Sequence, residues 1–361
     1  MKFNQYFKKR QIEIFKDYYV NYKDLKHTIK IKGNFNDSYQ KELKRVNDAI
    51  EILKKENSYS DKQMSDFLVL NYMALFKATK KYDKKCKQTQ KFNFFTELQN
   101  SKFYSYYMSL PREKHNHSKL VIFDKDGTLI DQNAIFGPWI ESLITSICTN
   151  LDSIIKDKIF KYLGYNQITK QFNSNSVVAR GTNTDIINAL VNFFEQKEII
   201  HNIKKDNNII GFIKKDWKPP KLEDDNGKTS IIQCGDINKL FSFLKSQNIK
   251  VAICTNDDRM CTEKTIEHLN IKHLIDYLVC GDDPISSKPS PEPIWTICQN
   301  LNINVSDTIM VGDTISDVHS GRNAKCGMVV GVLSGNYSDF NLHNADYIIP
   351  TIDDLYKLIK K

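Results

Sequence analysis

VIFDKDGTLI, residues 121–130, sets two carboxylates, Asp124 and Asp126, one residue apart at the end of an apolar run that begins at Leu120. Four apolar residues closed by an acidic, glycine-containing turn read as a buried strand, because a parallel strand covered on both faces loses the polar alternation of a half-exposed one. Runs of the same texture recur at 251–254, 308–311, 328–332 and 347–349, with helical stretches between them. That alternation predicts an α/β Rossmann-like parallel sheet flanked by helices. About 130 residues separate the first run from the second, mainly helical in pattern up to WKPPKLEDDNG at 217–227. So long a connection exceeds an ordinary crossover and implies an inserted, mainly helical domain.

Four short motifs fall at comparable places in this region. Asp124 and Asp126 follow the first strand, Thr255 and Asn256 end the second, Lys288 sits in SSKPSPEP, and VGDTISD carries Asp313 and Asp317. Ligands of open parallel sheets bind beyond the carboxyl ends of the strands, so these groups are expected to converge. Each residue type has a chemical use there. One carboxylate can attack phosphorus and form an acyl-phosphate, and a second can protonate the leaving alcohol and then deprotonate water. Crowded carboxylates call for a hard cation such as Mg²⁺. The Thr255 hydroxyl and Lys288 ammonium suit phosphoryl oxygens, and Gly127 lets the backbone approach closely.

DKDGT, the threonine of ICTN, the lysine of the proline-rich loop and GDTISD, in that order, resemble the four motifs of the haloacid dehalogenase superfamily of phosphohydrolases over about residues 119–361. The resemblance implies Asp124 as nucleophile, Asp126 as acid/base, and Thr255 and Lys288 as phosphate binders. It implies a magnesium site formed by Asp124, the Asp126 main-chain carbonyl and Asp313. Asp317 supports the metal or orients the lysine, and Asn256 and Gly127 have supporting places. The insertion corresponds to the helical cap of the phosphoglycolate phosphatase-like branch, which 164–187 and GVLSGNY also resemble. Such caps favour a small phosphorylated metabolite, and Arg180, Thr182 or Asn183 could reach it. The expected layout is a core of 119–134 and 230–361 with a cap of 135–229.

The first third differs in charge. Residues 1–118 hold 25 Lys+Arg against 13 Asp+Glu, while the remainder holds 27 against 30, so the net +9 belongs to the N-terminal part. Apolar spacings predict helices over 2–30, 38–55 and 60–86, and PREKHNHS at 111–118 reads as a linker. Lys77, Lys80, Lys81 and Lys84 recur on one helical face, where a polyanion would relieve their repulsion. MKFNQYF, YKDLK, KELKRVNDAI and NYMALFKATKKYDKK resemble the SPX domain over about residues 1–110. That resemblance implies a helical bundle binding inositol polyphosphates or pyrophosphates. Tyr22, Lys26 and Lys81 would form the central cluster, with Lys77, Lys80 and Lys84 beside it. No recognised nucleic-acid fold accompanies the charge.

Eight cysteines are scattered without CxxC spacing or a histidine cluster beside them, which argues against a zinc site or a disulfide framework and suits a reducing, cytoplasmic setting. No apolar window approaches the roughly 20 residues of a membrane span. Trp139, Trp217 and Trp295 read most simply as core residues, and Cys254 as an inert buried thiol. The leading expectation is a Mg²⁺-dependent phosphatase of a small, phosphoglycolate-like phosphomonoester with a phosphate-sensing N-terminal domain. One alternative takes inositol pyrophosphate or polyphosphate itself as substrate. Another makes the whole chain a non-catalytic phosphate-signalling protein.

Overall fold

The computed structural model describes residues 118–148, 152–173, 176–196, 220–223, 229–335 and 344–359, with isolated positions elsewhere. The stretches from 118 onward belong to one compact unit, His115–Lys361. The helices expected in the first 110 residues, nearly all of the 111–118 linker, Trp217, and the ligand candidates Tyr22, Lys26, Lys77, Lys80, Lys81 and Lys84 lie outside the described residues.

Strand β1, Leu120–Phe123, is wholly inaccessible to solvent. An insertion follows: α1 (Gln132–Ile147), α2 (Ser153–Tyr162), a hairpin of β2 (Tyr165–Asn166) and β3 (Gln171–Phe172), then α3 (Val177–Arg180) and α4 (Asn183–Phe194). The chain returns through α5 (Ile237–Ser246) to β4 (Lys250–Cys254), α6 (Arg259–His268), β5 (Tyr277–Val279), α7 (Glu292–Leu301), β6 (Thr308–Gly312), α8 (Ile315–Ala324), β7 (Met328–Val332), β8 (Tyr347–Ile349) and α9 (Tyr356–Ile359). Six strands pair in the order β5-β4-β1-β6-β7-β8, every pair parallel.

The register positions the site. Phe123 is paired with Ile253 on one side and Val311 on the other. The next residues of the three central strands therefore emerge level with one another, and they lead into Asp124, Thr255 and Asp313. Phe241 of α5 packs on Phe123 with ring centroids 5.0 Å apart, closing one face of β1, while α8 covers β6 and β7.

All five expected strands form. The three-residue edge strand β5 and the β2–β3 hairpin are additional; so few residues carry no readable periodicity. Helix α1 runs across the expected core–cap division at 134/135. Trp295 departs from expectation: it is 49% exposed, and its indole N–H donates to the Ala324 carbonyl at 3.3 Å. Among the described residues no helix is long and apolar enough to cross a membrane.

Candidate active site

Asp124 leaves the end of β1 with its N–H donated to the Val311 carbonyl, 2.9 Å away, and its residue is 6% exposed. Its Oδ1 accepts from Lys288 Nζ at 2.6 Å. The same ammonium donates to Asp317 Oδ1 and to the Cys254 carbonyl, both at 2.7 Å, and so reaches its three-donor capacity. Lys288 is 4% exposed; burial works against its charge, but Asp124 and Asp317 together outweigh it and raise its pKa. Burial raises the Asp124 carboxyl to about 7, with Lys288 pulling the other way and Asp317 and Asp126 adding repulsion.

Asp317 owes its place to a helix terminus. Thr314 N-caps α8, its hydroxyl accepting from the Asp317 N–H, and Asp317 Oδ2 in return accepts from the Thr314 N–H at 2.9 Å and hydroxyl at 2.7 Å. Both Asp317 oxygens are thereby used. Asp313 is fully buried between two glycines. A Cβ on Gly127, whose φ is +90°, would stand 2.3 Å from Asp313 Oδ2, and one on Gly335 would stand 1.9 Å from it. Ser334, beside Gly335, donates to the Gly127 carbonyl at 2.7 Å, tying the loop after β7 to the loop after β1. Asp124, Asp313 and Asp317 each offer an oxygen within 4.8 Å of the others. Hard oxygen donors in that number suit Mg²⁺.

The other motif residues close the ring. Thr255, buried, receives the Asp257 N–H on its hydroxyl at 3.1 Å. Asn256 clamps the Lys288 peptide from both sides, accepting from its N–H and donating to its carbonyl, each at 3.1 Å. Gly281 allows this: a Cβ there would meet the Asn256 carbonyl at 2.1 Å. Asp126 lies close by, its carboxyl raised by burial against the opposing pull of Lys125.

The insertion roofs this floor. Asn256 donates to the Arg180 carbonyl at 2.8 Å, Gln132 to the Val178 carbonyl at 3.0 Å, and Asn183 to Asp258 Oδ2 at 2.6 Å. Phe136, Val178 and Ile186 add an apolar wall, and Arg180 and Asn183 also line the cleft. Thr182, in contrast, is the N-cap of α4 and is engaged with Asp185 in a capping box. The cleft, partly open to solvent, has a cavity volume of about 30 Å³, room for a water or an ion.

Asp124, Asp126, Thr255, Asn256, Lys288, Asp313, Asp317 and Gly127 are therefore brought together. Lys125, Asp257, Asp258 and Gly335 were not foreseen. The available signal was a charged residue within the buried 120–130 stretch and an acid pair directly after Asn256. Cys254 is the inert thiol expected, buried and pushed up to about 12.

The chain is similar to known phosphatases. Phosphoglycolate phosphatase of Aquifex aeolicus is 23% identical over 243 residues, 67% of this chain and 96% of the relative. That of Neisseria meningitidis serogroup A is 30% identical over 122 residues, 32% and 51% of the two chains. Pyrophosphatase PpaX of Bacillus mycoides is 29% identical over 120 residues, 33% and 55%. The chain thus spans about half the length of the last two. Among solved structures, a predicted phosphoglycolate phosphatase from Haemophilus somnus overlays with a TM-score of 0.46 at 19% identity, covering 67% of this chain and 98% of that one. Beta-phosphoglucomutase from Clostridium difficile overlays at 0.41 and 19%, covering 66% and 92%. The family model of haloacid dehalogenase-like hydrolases matches residues 121–331, more than half of the chain, and the chain belongs to that family.

Proposed function

We propose that this hydrolase is a magnesium-dependent phosphatase of small, phosphoglycolate-like phosphomonoesters, with Asp124 as the nucleophile. The observation that carries the reading is the buried Asp124 carboxylate, tethered through Oδ1 to Lys288 and with an Asp313 oxygen within 4.8 Å, in a small roofed cleft. Its residues fit the ion: Asp124, Asp313 and the Asp126 main-chain carbonyl would hold it, while Asp317, with both oxygens engaged, orients Lys288 instead. When bound, magnesium offsets the charge of the carboxylates and of the phosphoryl group.

Asp124 attacks phosphorus, the bond from phosphorus to the leaving oxygen breaks, and the Asp126 proton passes to that oxygen as the alcohol departs. Water then attacks the aspartyl-phosphate and gives its proton back to Asp126. The electron pair of the Asp124–phosphorus bond returns to the carboxylate as phosphate leaves. Thr255 and Lys288 hold phosphoryl oxygens throughout. The core would comprise 119–134 and 230–361, and the cap 135–229 would exclude water during these steps. The free, mostly buried thiols suit a cytoplasmic setting.

Residues 1–110 are proposed to form an SPX-type helical bundle sensing inositol polyphosphates or pyrophosphates through Tyr22, Lys26, Lys77, Lys80, Lys81 and Lys84. Motif order and the concentration of positive charge support that part.

The test is a panel of small phosphoesters, including 2-phosphoglycolate and pyrophosphate, assayed with the full chain. Hydrolysis should require Mg²⁺, vanish with EDTA and fall at least about 1,000-fold in Asp124→Asn. Turnover surviving that substitution would exclude the aspartyl-phosphate.

A further inference from the structure

Lys125 stands between the two motif acids, where nothing in the steps above calls for a lysine. Yet it is 2% exposed, and a buried ammonium is costly unless paired. Its pairing is specific. Nζ lies 2.8 Å from both Oδ1 and Oδ2 of Asp126 and 3.0 Å from Asp257 Oδ2. One ammonium against both carboxylate oxygens anchors the end of the Asp126 side chain to Lys125. Among the described residues, no other side chain bonds to the Asp126 carboxylate.

The far end of the link is itself anchored. The Asp257 N–H is bonded to Thr255 Oγ1 at 3.1 Å, and its carbonyl accepts from the Gly281 N–H at 2.8 Å. On the near side, the Lys125 carbonyl receives the Leu129 and Ile130 N–H groups at 2.9 and 3.1 Å. A continuous chain, Thr255–Asp257–Lys125–Asp126, therefore runs from the group proposed to bind phosphate to the group proposed to move the proton. It joins the loop after β4 to the loop after β1.

We propose that Lys125 is a positioning residue for proton transfer: braced on Asp257, it holds the Asp126 carboxyl aimed at the leaving and attacking oxygens. The proposal rests on the acid/base role given to Asp126. Lys125 keeps its own protons throughout, and the proton transferred is the one on Asp126. What Lys125 supplies is geometry, and misplacement of a reacting group by about 1 Å can cost about 100-fold in rate.

Leaving-group dependence reads that geometry directly. An alkyl phosphate needs its leaving oxygen protonated, whereas p-nitrophenolate departs without help. In Lys125→Met, kcat/KM should fall about 100-fold on an alkyl phosphate such as 2-phosphoglycolate, with only a few-fold loss on p-nitrophenyl phosphate. With the latter, slow hydrolysis of the aspartyl-phosphate should give a burst of nearly one p-nitrophenolate per enzyme. Because that variant leaves Asp126 and Asp257 facing each other, the Lys125→Met/Asp257→Asn variant is run beside it; it removes the repulsion but not the defect, and should show the same substrate split. Equal losses on both substrates in the double variant would overturn the proposal and leave Lys125 a packing residue. Asp126→Asn separates the two readings. If it too loses both substrates equally, the acid/base assignment itself fails. If it discriminates while the lysine variants do not, the positioning role alone fails.

Discussion

The ammonium of Lys288 joins three acceptors that come from three different strand ends, Asp124 after β1, Cys254 at the end of β4 and Asp317 beyond β6. Burial, with repulsion from Asp317 and Asp126 added, outweighs the pull of that one charge and raises Asp124 to about 7. A carboxyl so raised keeps a proton in the folded chain that the unfolded chain has already released. Its contribution to stability is present below the unfolded value near 3.8 and is lost as pH rises through about 7. In EDTA, Asp124→Asn should therefore gain stability relative to wild type as pH increases, from no difference near pH 4 to a few kcal/mol, or several degrees of melting temperature, by pH 8. Thermal melts across that range check it; a difference independent of pH would mean that the carboxyl carries no strain. The same residue would then be costly for the fold and indispensable for turnover. The acids were legible in the sequence because each follows an apolar run by a fixed short step. Lys125 and Asp257 were not, since a charged side chain reads as exposed until its partners are seen.

At the scale of elements, the site is a set of strand-to-loop exits held in register by the sheet, and the glycines mark where those loops touch. Gly335 follows β7, far along the chain from Gly127, yet a Cβ on Gly335 would lie 2.7 Å from the Gly127 Cα as well as 1.9 Å from Asp313 Oδ2. Asp313 is therefore pressed from both glycines, on the side of its Oδ2. Gly335→Ala should displace it and raise the Mg²⁺ concentration for half-maximal activity about 10-fold or more, while kcat at saturating Mg²⁺ falls less. A magnesium titration of initial rates decides it, and an unchanged half-saturation point would dissociate Asp313 from the metal. The strands themselves were readable from hydrophobic runs; this contact was not, because a glycine in GVLSGNY states that room is needed without saying against what. The roof contacts from Asn256 to Arg180 and from Asn183 to Asp258 were hidden for the same reason. They join loops far apart in the chain, and only the closed fold brings the partners into reach.

For the whole molecule, charge divides the chain close to where its two compact units, Met1–Lys114 and His115–Lys361, divide. The 27 Lys+Arg and 30 Asp+Glu beyond residue 118 nearly cancel, while the 25 against 13 before it leave a strongly basic segment. A hydrolase of small phosphoesters would gain nothing general from such a segment, and the polyanion ligand proposed for it would account for the excess. On the helix proposed for that segment, the spacing of Lys77, Lys80, Lys81 and Lys84 at three- and four-residue intervals would stack like charges on one face, a cost that a multiply phosphorylated ligand would offset. Calorimetric titration of the full chain with an inositol pyrophosphate should show binding in the micromolar range or tighter, weakening as salt rises because the contacts are charge to charge. Lys77→Ala/Lys81→Ala/Lys84→Ala should weaken it at least about 10-fold. An equal affinity in that variant would remove these lysines from the site. A loss confined to low salt would reduce the contact to general attraction between a basic segment and any polyanion. Only a loss that persists at physiological ionic strength supports a built pocket, and with it a reason for a basic domain to be carried on the same chain as a phosphate-releasing site.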